Sequence, residues 1–273
     1  MNDLQKIKAK IKERYTEVAF SGDSCCSPFS TSESGGGCCS GDEYVLLKPS
    51  QSAAIVSELV GYDTQDLKTV PKASILGAGC GTPTKFAFIK EGDIVVDLGS
   101  GGGIDVFLAA NIVKDSGKVI GIDMTDAMLQ KSTKNAEDGD YTNVDFRKGD
   151  IEERIPVDDN SVDVVISNCV INLTTNKVKT FSEIHRVLKP DGAGKMVISD
   201  LVTDRQIAED ISSIDPDKWC SCIDGALTKA NYIASIKNAG FDNVEILDEK
   251  TYTEGDYVDN RKITSLVIKA VKH

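Results

Sequence analysis

Ile94-Val95-Val96-Asp97-Leu98-Gly99-Ser100-Gly101-Gly102-Gly103 is the stretch on which the fold turns. An apolar, β-branched run of this length predicts a strand buried on both faces. The glycines after it let the chain turn sharply and let a ligand lie against bare backbone. Ile104 to Val113 then reads as a helix. Strand, glycine turn and helix in this order make the nucleotide corner of a doubly wound α/β sheet.

The glycine spacing narrows the ligand. A dinucleotide fingerprint wants glycine at relative positions 1, 3 and 6. Counting six from Gly99 reaches Ile104, and from Gly101 it reaches Val106. The pattern is instead Gly99, Gly101 and Gly103, with Asp97 before it. A second strand, Lys118 to Asp123, ends in an acid about 20 residues after the loop, the distance expected of a ribose-hydroxyl acceptor. This pattern resembles the class I S-adenosylmethionine-dependent methyltransferases.

Outward from this corner, strand and helix patterns alternate, which predicts a mostly parallel, seven-stranded, Rossmann-like sheet. Strands are expected at 94–98, 118–122, 144–147, 162–167 and 195–200, and helices at 104–114, 126–137 and 177–188. Past residue 201 the pattern loosens to an irregular turn, a helix at 229–239 and two closing strands near 244–247 and 263–270. Upstream, residues 1–20 place Leu4, Ile7, Ile11, Tyr15 and Val18 on one helical face, to be packed on the main domain. Residues 43–70 also look helical. The expected division is 1–72 for N-terminal helices and a cysteine-rich loop, 73–201 for the cofactor-binding core, and 202–273 for a turn and the closing strands of the same sheet.

Composition bounds the function. At 273 residues the chain can bury a core without staples. Its formal charge of −12 argues against nucleic acid and against an anionic membrane surface as partners. No apolar stretch reaches the length of a membrane span, and Met1 to Lys6 lacks the apolar core of a secretion signal. The expectation is a soluble cytoplasmic protein. The 2 histidines, His185 and His273, leave little room for histidine acid–base catalysis.

The 8 cysteines are many for such a compartment, where thiols stay reduced and clusters point to a soft ligand or redox chemistry. Cys25-Cys26 and Cys38-Cys39 sit in a Gly/Ser-rich loop without zinc-type spacing. That loop is either a dispensable tether or a source of thiols. Cys80 tips a glycine turn before the first strand, Cys169 follows the strand at 162–167, and Cys222 lies on the turn after the fifth strand. Ligands of open α/β sheets sit outside the carboxyl ends of the strands, so all three can reach one crevice. Three thiols suit a soft, thiophilic atom better than an oxygen-loving ion.

Five separated motifs carry a closer resemblance: Gly79-Cys80-Gly81-Thr82-Pro83, the stretch from Asp97 to Gly103, Gly121-Ile122-Asp123-Met124-Thr125, Ser167-Asn168-Cys169-Val170-Ile171-Asn172-Leu173 and Cys222-Ile223-Asp224-Gly225-Ala226-Leu227. Together they resemble the arsenite methyltransferase family, over the whole chain. The resemblance implies that Cys80, Cys169 and Cys222 bind trivalent arsenic, as arsenite or a thiol conjugate, and act in its methylation for detoxification. It implies S-adenosylmethionine as cofactor, held around Asp97, Gly99, Ser100, Gly101, Gly103, Asp123, Met124 and Asn168. Phe146-Arg147-Lys148-Gly149-Asp150-Ile151 resembles the third cofactor-contacting segment, which adds Asp150 and Ile151. One of Cys25, Cys26, Cys38 or Cys39 would take part in thiol exchange, reset by a small thiol or a thioredoxin-like reductant. Asp191 stands where these methyltransferases often have glycine. An arsenic(III) trithiolate keeps a lone pair that can attack the sulfonium methyl in line, so the protein need supply orientation rather than a base. Two other readings remain at this point: a methyltransferase for a small organic acceptor, and a thiol-rich protein that sequesters a soft metal.

Overall fold

The structure is a computed structural model that describes residues 3–21, 53–205, 219–220, 222–253 and 261–273. Cys25, Cys26, Cys38 and Cys39 lie outside the described residues, as does the start of the helical stretch expected from 43. Elements run α1 (Asp3–Ser21), α2 (Ala53–Leu59), α3 (Thr64–Lys68), α4 (Pro83–Phe86), β1 (Ile94–Leu98), α5 (Ile104–Val113), β2 (Lys118–Asp123), α6 (Asp126–Asp138), β3 (Val144–Lys148), β4 (Val164–Asn168), α7 (Lys177–Val187), β5 (Lys195–Thr203), α8 (Lys229–Asn238), β6 (Val244–Thr253) and β7 (Ile263–Val271).

One seven-stranded sheet takes the order β3-β2-β1-β4-β5-β7-β6. The five strands from β3 to β5 pair in parallel. The sheet is mixed, however, because β7 lies antiparallel between β5 and β6. A parallel return from β6 to β7 would need a crossover of about a dozen residues or more, and the link after Thr253 is shorter than that.

Alternation along β1 divides the core. Val96 and Leu98 face Ile184 of α7 and Ile236 of α8 in one apolar cluster, while Val95 faces Val106 and Ala109 of α5 in another. A strand buried on both faces explains why the run from Ile94 has no polar alternation. The expected helix from 43 to 70 is interrupted in its described part. Gly61 adopts φ 113° after α2, and Asp63 then caps α3 by accepting from the Gln65 N–H at 2.7 Å. The 162–167 strand starts two residues late, since Val162 makes only an isolated bridge to Leu188.

β1 has β2 on one side and β4 on the other. The winding direction reverses there, so the loops leaving β1 and β4 diverge and open a crevice at their carboxyl ends. α1 lies over that crevice, with Ile7, Ile11 and Val18 buried and Leu4 left exposed. Among the described residues, no helix is long and apolar enough to cross a membrane.

Candidate functional site

Two kinds of structure meet in the crevice. The first is backbone. Gly99, Gly101 and Gly103 adopt φ of 70°, 50° and 96°, a region that side chains disfavour. The Gly99 and Ser100 N–H groups both donate to the Ile122 carbonyl, at 2.7 and 3.0 Å, which pins the turn to β2. A Cβ on Gly99 would lie 2.3 Å from Val170 Cγ2. The Gly101 N–H donates to Asp123 Oδ2 at 3.0 Å, and the Thr125 N–H donates to Asp123 Oδ1 at 2.8 Å. Burial still raises the Asp123 carboxyl above the ordinary range.

In front of this turn opens a cavity whose free space, counted out into the open solvent at its mouth, is about 830 Å³. Of the expected cofactor residues, Gly99, Gly101, Asp123, Met124, Asp150, Ile151 and Asn168 line it. Asp97 and Ser100 line a smaller adjoining cavity instead. Burial, then the nearby Asp105 and Asp123, pushes the Asp97 carboxyl well up. Gly103 lines neither cavity. It serves the turn itself, where a Cβ would lie 2.7 Å from the Phe107 ring.

Three lining residues come from α1: Lys8, Ile11 and Tyr15. Lys8 Nζ donates to Asp150 Oδ2 at 2.7 Å. The apolar stripe accounts for Ile11 and Tyr15. Lys8 carried no motif, although its spacing of i, i+3, i+7 with those two was a usable signal.

The second structure is a cluster of thiols. Cys80, Cys169 and Cys222 are all buried and free, and all belong to one cluster with Ile11, Leu173 and Trp219. Cys222 Sγ donates to the Cys169 carbonyl at 3.0 Å. Cys80 Sγ, Cys169 Sγ and an Asp200 carboxylate oxygen all lie within 4.8 Å of one another. Of the three, Cys169 lines the large cavity. Hydrogen bonding to the Cys222 and Cys80 sulfurs, together with burial, holds Cys169 as a thiol well above its ordinary pKa, and burial raises Cys80.

The backbone is bent to bring these sulfurs together. Cys169 and Cys222 sit at φ 59° and 64°, the left-handed region that non-glycine residues rarely enter and that clusters at functional sites. Asn168 ties the Cys80 turn to β4. Its Oδ1 accepts from the Cys80 N–H at 3.0 Å, and its Nδ2 donates to the Gly81 carbonyl at 2.8 Å. The same amide donates to the Tyr62 hydroxyl at 2.8 Å, and Tyr62 in turn donates to buried Asp105 at 2.6 Å. Much of the Asn168 amide is therefore spent on the thiol turn. On the third segment, Gly225 lets the Cys222 turn press against the 171–173 turn, since a Cβ there would lie 2.0 Å from the Asn172 carbonyl oxygen. Trp219 Nε1 donates to the Leu173 carbonyl at 2.9 Å, and Arg261 pairs with Asp224 at 2.9 Å.

Two buried charges beside the thiols had no sequence signal. Burial raises Asp200 to about 6. Lys177 is buried over the Trp219 ring, and burial lowers it to about 8. Both read in sequence as ordinary strand and helix residues, because burial of a charge depends on tertiary packing.

The cavity fits a nucleoside sulfonium. It offers bare glycine backbone, carboxylates at Asp123 and Asp150, and apolar walls at Met124 and Ile151. Beside it, Ser100 Oγ is buried without a hydrogen-bond partner among the described residues. Such an orphaned polar atom calls for a ligand or water.

Comparison with known proteins agrees with this geometry. A family model described as a methyltransferase domain matches residues 89–250. The solved structure of an arsenic(III) S-adenosylmethionine methyltransferase from Chlamydomonas reinhardtii matches with a TM-score of 0.63 and 33% identity, covering 81% of this chain and 73% of that one. The chain belongs to the arsenite methyltransferase family. An arsenite methyltransferase of Halobacterium salinarum is 40% identical over 98% of this chain and 66% of its own length. One from Aquipseudomonas alcaligenes is 34% identical over 66% of this chain and 52% of its own length. The chain thus spans about two thirds or less of these curated family members. A phosphoethanolamine N-methyltransferase of Haemonchus contortus, at 18% identity and TM-score 0.57, shares the fold alone.

Proposed function

We propose that this protein methylates trivalent arsenic from S-adenosylmethionine, with Cys80, Cys169 and Cys222 as the arsenic ligands. The observation that carries this reading is the convergence of three buried free thiols in one cluster, with Cys169 on the wall of the large cavity. An organic acceptor has no use for such a cluster.

Gly99, Gly101, Asp123, Asp150 and Ile151 would hold the cofactor, which supplies the electrophilic methyl group when bound. The thiols hold the acceptor. Arsenite enters as a neutral hydroxide, and each thiol proton leaves with one arsenic hydroxide as water, so the exchange needs no outside base. That balance suits Cys80, whose thiol burial pushes up, and Cys169, whose thiol hydrogen bonding and burial push up. Three sulfurs on three turns leave the arsenic lone pair as the nucleophile, and holding it in place is the main contribution asked of the protein. The apolar cluster around the sulfurs excludes water from the site. Methylation formally oxidises arsenic. Return to the trivalent state needs two electrons, which a pair among Cys25, Cys26, Cys38 and Cys39 would supply by forming a disulfide. A small thiol or thioredoxin-like reductant would then reset that pair.

The test is direct. Purified protein is mixed with arsenite, S-adenosylmethionine and a small thiol, and the arsenic species are separated by chromatography. Methylated arsenic that forms only with active protein is the expected result. Cofactor binding without methylated arsenic would overturn the arsenic reading and put an organic acceptor in its place.

A further inference from the structure

Asp200 is a buried acid that arsenic chemistry leaves unused. It lies on β5, beside the strand that ends at Asn168 just before Cys169, and is 2% exposed. The Asn172 N–H and the Tyr232 hydroxyl donate to its Oδ2, both at 3.0 Å, and the Leu201 N–H donates to Oδ1 at 2.9 Å. These bonds fix the carboxylate in place and leave Oδ1 with acceptor capacity to spare. One of its oxygens shares a space no wider than 4.8 Å with the sulfurs of Cys80 and Cys169. Cys222 Sγ adjoins this group, donating to the Cys169 carbonyl at 3.0 Å and sharing an apolar cluster with both cysteines.

Trivalent arsenic takes three thiolates and keeps a lone pair in the fourth direction, so it has no call for a carboxylate. A divalent cation of borderline softness differs. Zinc is almost always four-coordinate and tetrahedral in closed protein sites, accepts sulfur and carboxylate oxygen together, and carries no lone pair. We propose that the pocket is also a binding site for Zn²⁺ or Cd²⁺, with Cys80, Cys169, Cys222 and Asp200 as its four ligands. The cation displaces the three thiol protons to solvent. The buried ammonium of Lys177 offsets part of the remaining negative charge. A further consequence rests on the arsenite reading. A cation held by four protein ligands has no electron pair to accept a methyl group, so it is a dead-end occupant that competes with arsenite.

The experiment uses the full chain with serine at Cys25, Cys26, Cys38, Cys39 and Cys220, which leaves the three pocket thiols. CdCl2 is titrated while the sulfur-to-cadmium charge-transfer band is followed in the ultraviolet. The expected result is one Cd²⁺ per chain, binding that strengthens as pH rises, and at least tenfold weaker binding in Asp200→Asn. Asp200→Cys should raise the band intensity by about a third, because a fourth sulfur joins the shell, and this arm needs no loss of binding to be read. On the zinc-loaded protein, X-ray absorption should show three sulfurs at about 2.3 Å and one oxygen at about 2.0–2.2 Å. An Asp200→Asn protein that binds Cd²⁺ as tightly as the parent, or an Asp200→Cys protein with an unchanged band, overturns the assignment of Asp200. Absence of stoichiometric Cd²⁺ uptake overturns the site. Arsenite binding is measured separately by loss of titratable thiols. Cadmium uptake without it would retain this proposal and sink the arsenic reading, and the reverse outcome would do the opposite.

Discussion

The two halves of the crevice are built by opposite means. The cofactor half is mostly backbone: one contiguous strand, turn and helix between Ile94 and Val113, with Asp123 bracing the turn. The thiol half is side chains alone, brought from a turn before β1, the end of β4 and a turn after β5. Damage to the first half comes from adding atoms, as a Cβ on Gly99 would. Damage to the second comes from exchanging one sulfur. The difference predicts that the halves can be broken separately.

Cys169→Ser should show the largest effect. It exchanges the sulfur that shares one buried cluster with Cys80 and Cys222 and lines the large cavity, while leaving the glycine turn untouched. Arsenite methylation should fall by at least about 10³-fold, a small share of the 10⁵–10⁸ M effective molarity available to oriented reactants. S-adenosylmethionine affinity, read by calorimetry, should stay within about twofold. Loss of both together would mean that the halves are one unit.

The halves also differ in how they carry buried charge. Asp123 is matched by backbone donors, whereas Lys177, over the Trp219 ring, donates to the Asn172 and Thr174 carbonyls at 3.3 and 3.1 Å. Burial lowers its pKa from 10.5 to about 8. A depressed folded value contributes stability above pH 10.5 that is lost as pH falls through about 8. Lys177→Met removes this dependence. Its stability relative to the parent should therefore improve by up to about 3 kcal/mol as pH falls across that window, on top of a constant loss from the two hydrogen bonds. Denaturant unfolding of both proteins at the two ends of the window measures it. A constant difference would place Lys177 outside the buried charge cluster.

The same contrast explains what could be read in advance. A backbone site announces itself in sequence, because glycine at left-handed positions and an acid at the end of the next strand are local requirements. The parallel pairing of the first five strands followed from the same alternation, while the strand order and the antiparallel seating of β7 came only with the fold, the latter depending on a link too short for a crossover. The three cysteines stood out because thiols are rare enough to count. Their surroundings did not. Asp200 and Lys177 became special only through burial, and Asn168, expected beside the cofactor, spends its amide on the Cys80 turn. Strain at Cys169 and Cys222 is equally invisible, since neither is glycine.

Asp123→Asn tests the cofactor half with a smaller change. The amide cannot accept from both the Gly101 and Thr125 N–H groups with the same charge, so the turn loosens without new bulk. Cofactor affinity should weaken about tenfold, the scale of one charge-assisted hydrogen bond. Arsenite binding, read by protection of the three thiols, should not move. A matching loss of arsenite affinity would show that the turn also positions Val170 and, through it, Cys169.

Lys8 sharpens the boundary between the halves, because α1 touches both. Tyr15 reaches the Cys222 sulfur at 3.9 Å, and Lys8 reaches Asp150 at 2.7 Å. With side-chain exposures of 24% and 26%, the Lys8–Asp150 pair is partly screened and resembles the surface pairs that contribute about 0.2–1 kcal/mol. Lys8→Met should accordingly shift stability by less than about 1 kcal/mol. The informative readout is cofactor affinity against salt. If the ammonium occupies a carboxylate that the cofactor needs, the variant binds S-adenosylmethionine up to about fivefold tighter, and the parent approaches it as salt screens the pair. If the variant binds more weakly at every salt concentration, Lys8 belongs to the cofactor half as a contact, and α1 is part of that site rather than a cover laid across it.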